Sequence, residues 1–78
     1  MDIKTALSNA IQLVGAYAEE FIREESNREI QRLVAEDALD IIDTIWENTE
    51  AEMSKSLVDY TIPLLEMYAS DAVIHDVE

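Results

Sequence analysis

Apolar residues recur at intervals of three and four along most of the chain, a spacing that places them on one side of an α-helix. In the first third of the chain the main stripe consists of Ile3, Leu7, Ala10, Val14, Tyr17 and Phe21. A second stripe beside it consists of Ile11, Ala18 and Ile22. The pattern predicts a first helix from about Asp2 to Glu25, with an apolar arc wider than one partner helix needs.

A helix start is predicted at Ser26-Asn27-Arg28-Glu29, which has the form of a capping box. In that motif the Ser26 hydroxyl accepts from the N–H of Glu29, whose carboxylate reaches back to the N–H of Ser26. We therefore predict a tight break and a second helix from about Asn27 to Asn48. Its predicted core positions are Ile30, Leu33, Val34, Ala38, Ile41, Ile42, Ile45 and Trp46.

A third helix is predicted from about Glu50 to Asp71, because Thr49-Glu50-Ala51-Glu52 has the form of a second capping box. The alternative is one uninterrupted helix through Thr49, since no Gly or Pro stops it there. The third apolar stripe consists of Met53, Leu57, Tyr60, Thr61, Leu64 and Tyr68.

Pro63 lies inside the third predicted helix, where a proline removes a backbone hydrogen bond and kinks or breaks the helix. Thr61 is an alternative cap for a separate short helix beginning at Ile62. Beyond it, the tail from Val73 to Glu78 is expected to fray. The predicted fold is all-α, a small antiparallel bundle of three helices, or four if Pro63 divides the third. The excess of apolar surface predicts a homodimer.

The composition agrees with a single small helical domain over residues 1–78. Apolar residues make up 49% of the 78 residues, too many for a disordered chain, and one Gly and one Pro leave room for long helices. The absence of Cys excludes disulfides and thiolate metal sites. No apolar run approaches the ~20 residues of a transmembrane helix, and we expect a cytoplasmic protein, in the host cell if the source is a virus.

The net charge of −13 is concentrated in the second part of the chain. Residues 1–32 hold six acids and four bases, whereas residues 33–78 hold twelve acids and one base. Such a charge repels nucleic acid and anionic membranes and attracts basic protein surfaces. The alternative is that acidity only keeps a small protein in solution.

The acids of the second predicted helix form a regular series, here called the acidic row, at spacings of four, three, four and three. Its members are Glu36, Asp40, Asp43, Glu47 and Glu50. This spacing places all five on one face of a helix over about 21 Å. No Lys or Arg occurs between Arg32 and Lys55, so we expect the charges to stay unneutralised. Like charges at these spacings destabilise a helix, which favours a functional use of the row.

In composition and charge pattern the whole chain resembles the phage-encoded DNA mimics that block restriction enzymes, CRISPR complexes or other DNA-binding proteins. These are small, strongly acidic and often helical and dimeric. No motif carries the resemblance, so it assigns no functional residue. It implies a non-enzymatic inhibitor whose acidic row binds a basic nucleic-acid-binding protein, since Arg side chains donate to carboxylates as they do to phosphates.

The alternative is an interaction or regulatory module, such as an antitoxin-like subunit or an oligomeric adaptor. It would bind through apolar helix faces, for example through Leu13 or Leu65. Trp46 is expected in the core more often than in an interface. Tyr60 and Tyr68, eight residues apart, are expected on similar faces of the third helix, beside the acidic row.

Catalytic chemistry has little support in the sequence. Asp71 and His75 share one helical face, but one pair near a terminus is a weak metal-site signal. Glu47-Asn48-Thr49-Glu50 resembles the Glu-x-x-Glu first half of the pattern of all-helical nucleotide pyrophosphatases, but the second half, Glu-x-x-Asp, is absent. Ser56 lies in a three-residue match to the acyl carrier protein motif, with Lys55 in place of the motif's Asp. We therefore predict no catalytic residue, no metal and no cofactor, and keep a carboxylate-metal enzyme as a third hypothesis.

Overall fold

Three α-helices and one π-helical segment make up most of the described chain, residues 2–70, in this computed structural model. Helix α1 spans Ile3–Glu24 and α2 spans Arg28–Thr49. The π-helical segment Leu57–Thr61 then leads directly into α3, Ile62–Ala69. No strand occurs in these residues, so the all-α prediction is confirmed.

The first two helices are antiparallel neighbours, because only three residues join them. Consistent with this, the Ser8 hydroxyl near the start of α1 donates to the carbonyl of Glu52, just beyond the end of α2 (2.5 Å). Helix α3 packs mainly against α2 and also touches α1. The result is an elongated three-helix arrangement of 47 × 21 × 19 Å.

The turn between α1 and α2 is capped by Asn27 and not by Ser26 as predicted. The Asn27 Oδ1 accepts from the backbone N–H of Glu29 (2.9 Å) and of Ile30 (3.3 Å). Asparagine and serine both favour this position, so the motif located the helix start correctly to within one residue. The Gln31 side chain stabilises the turn by donating to the backbone carbonyls of Ile22 and Glu25 at the end of α1.

Helix α2 ends at Glu50, which has left-handed backbone angles (φ 52°, ψ 33°). Its N–H donates to the carbonyl of Trp46 (2.7 Å), and no helix continues through residues 51–54. The predicted capping box at Thr49 is therefore wrong, as is the alternative of an uninterrupted helix. The Thr49 hydroxyl instead donates to the carbonyl of Ile45 (2.6 Å), inside the last turn of α2.

The last helical stretch begins after Ser54, whose hydroxyl oxygen accepts from the N–H of Leu57 (3.2 Å). Serine is a preferred residue at such a position. Further along, the N–H of Ile62 donates to the carbonyl of Leu57, five residues earlier, which is the wide turn of a π-helix. The wide turn lies immediately before Pro63, in the first turn of α3, where its missing N–H is tolerated.

The chain is helical on both sides of Pro63, so no break occurs there. Thr61 has helical backbone angles and its side chain makes no capping hydrogen bond, so it is not the predicted cap. The Thr61 hydroxyl donates instead to the Glu19 carboxylate of α1 (3.2 Å). The π-helical turn and the Thr61–Glu19 hydrogen bond together position α3 relative to α1.

The core is narrow and rich in small residues. Its buried members are Ile11, Ala18, Ile22, Ala35, Ala38, Ile42, Ala51, Leu57 and Leu65. Gly15 is buried among them, and a Cβ atom added there would lie 2.7 Å from Leu57 Cδ1. Such small residues allow the helices to approach closely, and on α1 and α2 they share the core side with Ile11, Ile22 and Ile42.

The predicted core positions are partly wrong. On α1 the second stripe is buried, whereas Ile3, Tyr17 and Phe21 of the main stripe are exposed. On α2, Ala38 and Ile42 are buried as predicted, but Ile41 and Trp46 are 47% and 44% exposed. The other exposed apolar positions of α2 are Ile30 and Leu33.

In the C-terminal helical stretch, Leu65 is fully buried and Tyr60 is exposed, the reverse of the predicted pattern. The extra residue in the π-helical turn shifts the helical phase, so Leu57 and Leu65, eight positions apart, both face the core. Tyr60 and Tyr68 differ in exposure, since Tyr60 is exposed whereas Tyr68 is half-buried and its ring lies 5.5 Å from the Arg28 guanidinium. Within residues 2–70, no helix combines the length and hydrophobicity needed to cross a lipid bilayer.

Candidate functional site

Four members of the acidic row lie on α2, on the side of the helix turned away from Ala38. Asp40, Asp43 and Glu47 are exposed, and Glu36 is half-buried. Among the described residues, no ion pair involves the three exposed members. This part of the row is therefore a continuous negative surface that meets solvent.

Glu36 differs from the other members because Arg32, one helical turn earlier, neutralises it. The Arg32 Nη1 donates to Glu36 Oε1 (2.5 Å), and the same guanidinium pairs with Glu29. The expectation that the whole row is unneutralised is thus wrong at this end. Arg32 directly borders the base-free stretch, and its i, i+4 spacing from Glu36 is sufficient for the pair.

Glu50 does not share the helix face of the other members, because α2 has ended before it. It lies with Glu52 beside the N-terminal part of α1, in a cleft that also contains Lys4 and Ser8. A left-handed residue turns the chain away from the helix axis, so the four-three spacing no longer predicts its direction. The structure separates Glu50 from the other four residues of the row.

A cleft between α2 and the C-terminal helix adds a carboxylate that the sequence pattern did not include. Asp40, Asp43 and Glu66 line it together, and its volume is about 250 Å³. Its apolar lining residues are Leu39, Ile42, Trp46, Met53 and Ile62. We call this the Trp46 cleft. Carboxylates and an exposed indole are thus combined in one concave surface.

The chemistry of the Trp46 cleft favours a cation with an apolar stem. Carboxylates attract it, the indole face stabilises it through cation–π contact, and Met53 and Ile62 provide apolar contact area. Of the Lys and Arg residues in the described part of the chain, none lines the cleft. Lys55 pairs with Asp59 (2.8 Å), and Arg23 pairs with Glu19.

Sequence analysis missed Glu66 and Met53 as site residues. Trp46 follows Asp43 by three positions, a spacing that places both on one side of a helix, and this signal was available. Glu66 joins the cleft only through the packing of α3 on α2. No local sequence pattern predicts this contact, because α3 can pack back on α2 only where α2 ends, at Glu50.

A second surface lies between α1 and α2, and we call it the apolar face. Its residues are Tyr17, Ala18, Phe21, Val34, Ala38 and Ile41, with Asp37 among them. Tyr17 is 67% exposed, and Leu13, earlier on α1, is 54% exposed. Leu13 therefore remains available for the docking expected of it, whereas Leu65 is buried and is excluded from any docking surface.

Glu29 is a carboxylate with a shifted pKa in the folded protein. A hydrogen bond from the Arg32 side chain lowers the pKa of Glu29 below its ordinary value of 4.5, and the charges of Arg32 and Arg28 act in the same direction. The causes are local to the first turn of α2. The shift therefore reports ion pairing at the beginning of this helix.

The described residues do not bring together the metal-binding or pyrophosphatase-like residue sets predicted from the sequence. Among residues 2–70, no group of three His, Asp or Glu side chains is arranged to hold a metal ion. The Asp71–His75 pair lies outside the described residues. Glu47 and Glu50, the pyrophosphatase-like pair, are divided by the end of α2.

The chain was compared with protein-family models, with curated protein sequences and with solved structures, and none of the three comparisons gave a match.

Proposed function

We propose that this protein is a non-enzymatic acidic inhibitor that occupies the nucleic-acid-binding surface of a basic protein. The observation that carries the proposal is that Asp40, Asp43 and Glu47 are exposed and have no cationic partner among the described residues. The charge of −13 in 78 residues supports it, because a net charge of that sign steers the chain toward basic surfaces.

The spacing of the exposed carboxylates supports contact with Arg and Lys side chains arranged for phosphates. Asp40 and Glu47 are seven residues apart, or about 10 Å along the helix, with Asp43 between them. That gives one charge per ~5 Å, against one phosphate per ~3.4 Å along a DNA strand. An Arg that binds a phosphate also binds a carboxylate in the same bidentate manner. The row is therefore a sparser but chemically equivalent ligand.

The proposal includes a homodimer formed through the apolar face. Tyr17, Phe21 and Ile41 leave an aromatic and aliphatic surface exposed, and a second copy provides a matching surface by two-fold symmetry. Because the exposed carboxylates lie on another side of α2, a dimer leaves them accessible. Two copies then present two sets of carboxylates to the target.

The test is displacement of proteins from immobilised duplex DNA. A cell lysate is loaded on the DNA at low salt, and the protein is then passed over it. We expect a specific DNA-binding protein to elute, since the carboxylates compete for its cationic side chains. Polyglutamate at equal charge concentration is the control for a general polyanion effect.

A charge-matched pair of variants decides whether the row is responsible. Asp40→Lys with Glu47→Lys changes the charge of the row, and Glu20→Lys with Glu24→Lys makes the same change on exposed positions of α1. The proposal predicts that the first double variant no longer displaces the protein and that the second still does. Equal displacement by both double variants would refute the assignment of the row.

An interaction module acting through the apolar face, or through the neighbouring Leu13 of α1, is the second candidate, because Tyr17 and Leu13 are more than half exposed. In that case a partner takes the place of the second copy. Tyr17→Asp would then abolish partner binding, and the charge-reversed α2 variant would bind as the parent does. High salt separates the candidates as well, because screening weakens binding by the row but not apolar docking.

A further inference from the structure

The Trp46 cleft is a concave site that contains only part of the acidic row. Asp40 and Asp43 line it, whereas Glu47, which is also exposed on the same helix, does not. Glu66 from α3 faces the same space, and Trp46 is 44% exposed. Three carboxylates therefore surround an apolar cleft that retains an accessible indole.

We infer that the Trp46 cleft binds one arginine side chain of the partner protein and so fixes the orientation in which the partner docks. The inference rests on the proposed function, since it names the contact that the acidic surface makes. It goes further in requiring a defined position for one cation. A general attraction between opposite charges would not require it.

Charge selects a basic partner over the other occupants that a cleft of this kind can take. A second copy of the chain carries a charge of −13. Residues 71–78 contain three carboxylates and no Lys or Arg. Placing either of these against Asp40, Asp43 and Glu66 brings like charges together. A cationic segment of another protein meets no such repulsion.

The size of the cleft agrees with a side chain as the ligand. A volume of about 250 Å³ lies below the ~300–1,000 Å³ of pockets that enclose small molecules. Arg and Lys both have apolar stems that suit Met53 and Ile62. Only Arg also stacks a planar cation on the indole and donates to two carboxylate oxygens at once. These properties favour Arg over Lys.

The single tryptophan makes the cleft directly observable, because all indole fluorescence of this chain comes from Trp46. The probes are two blocked, alanine-rich peptides without tryptophan, one with a central Arg pair and the other with a Lys pair. We expect the Arg peptide to change Trp46 emission on binding and to bind about fivefold more tightly than the Lys peptide. Equal affinity of the two peptides would contradict the inference.

Asp43→Asn and Glu47→Gln form a matched pair, because each removes one carboxylate charge from an exposed position of α2. We expect Asp43→Asn to weaken binding of the Arg peptide about tenfold, as for loss of a charged hydrogen bond, and Glu47→Gln about twofold. Circular dichroism confirms that both variants fold. Trp46→Leu, measured by calorimetry, should weaken the Arg peptide more than the Lys peptide, because the planar guanidinium stacks on the indole.

The outcomes separate failure of this inference from failure of the proposed function. If Asp43→Asn and Glu47→Gln weaken the Arg peptide equally, the row acts as a diffuse charge and the cleft has no special role. If neither variant weakens it and the charge-reversed α2 variant still displaces proteins from DNA, both the inference and the proposed function are wrong. Absence of any change in Trp46 emission on binding overturns the inference alone.

Discussion

Helix α2 borders two surfaces of opposite character, and the contrast suggests different partners for each. Toward α3 it presents carboxylates around Trp46, and toward α1 it presents Ile41 beside Tyr17 and Phe21. Both surfaces are rich in apolar atoms, so hydrophobicity does not distinguish them. The difference is the number of carboxylates, three around the Trp46 cleft and one, Asp37, on the apolar face.

This contrast makes the proposed self-association compatible with a strongly acidic chain. Between two copies, repulsion is smallest where carboxylates are fewest, and that is the apolar face. A basic partner is attracted most strongly where they are dense. Salt should therefore act in opposite directions on the two surfaces. Screening strengthens association of two acidic copies and weakens binding of a basic partner.

The largest expected effect is on self-association, and it comes from placing charge on the apolar face. Tyr17→Asp with Ile41→Asp would bury four carboxylates in a symmetric dimer. We expect self-association to weaken at least about a hundredfold, since buried unpaired charges are strongly destabilising. Sedimentation equilibrium over a range of protein concentrations measures this.

Val58→Asp with Tyr60→Asp is the control, because it adds the same charge at exposed apolar positions of the π-helical segment. The control should self-associate nearly as the parent does. A parent protein that stays monomeric at every concentration would contradict the proposed homodimer. The apolar face would then be available to bind a different protein.

A smaller effect is expected from Gly15, where α1 approaches the π-helical segment. An alanine at this position gains up to about 1 kcal/mol in helix propensity. Its Cβ would lie 2.7 Å from Leu57 Cδ1, and such overpacking costs about 1–3 kcal/mol. We therefore expect Gly15→Ala to lower the free energy of unfolding by about 1 kcal/mol, measured by urea denaturation.

The exposed neighbour Ala16 provides the comparison for Gly15. Ala16→Gly should lower stability by about 0.5–1 kcal/mol through helix propensity alone. If Gly15→Ala is more stable than the parent, the close packing of α1 on Leu57 is wrong. The position of α1 relative to the π-helical segment would then need revision.

The smallest effect concerns the start of α2, where Arg32 is divided between Glu29 and Glu36 of the acidic row. Because Arg32 lowers the pKa of Glu29 in the folded state, the ion pair stabilises the protein above the ordinary value of 4.5. That stabilisation is lost as the pH falls through the lowered pKa. The stability difference between the parent and Glu29→Gln should therefore shrink as the solution is acidified.

Glu24→Gln removes the same charge from the end of α1 and controls for the change in net charge. Urea denaturation of the parent, Glu29→Gln and Glu24→Gln, from neutral pH to below the lowered pKa of Glu29, provides the measurement. A difference between parent and Glu29→Gln that grows on acidification would contradict the pairing.

Much of the fold could be predicted from local sequence signals. The apolar periodicity gave α1 and α2 to within one or two residues at each end, and the Ser26–Glu29 motif marked the helix start. The core was harder, because the spacing of large apolar residues favours the Tyr17 and Phe21 stripe on α1. Close packing selects Gly15 and Ala18 instead, and this preference is visible only when the neighbouring helices are in place.

The candidate site could be predicted in part, because four members of the row fall on one continuous helix. Glu50 could not be placed correctly, since no Gly marks the left-handed residue that ends α2. Glu66 and Trp46 came together through the packing of α3. That packing depends on the π-helical turn before Pro63, which no periodic pattern of apolar residues predicts.

The most direct test of the account is the salt dependence of the dissociation constant for the DNA-binding protein that we propose this chain displaces. We predict that binding weakens steeply as salt rises, and that Asp40→Lys with Glu47→Lys both weakens binding and flattens the slope. Glu20→Lys with Glu24→Lys should change both much less. A dissociation constant that is insensitive to salt, or a slope that the α2 variant leaves unchanged, would contradict the claim that exposed carboxylates of α2 carry the function.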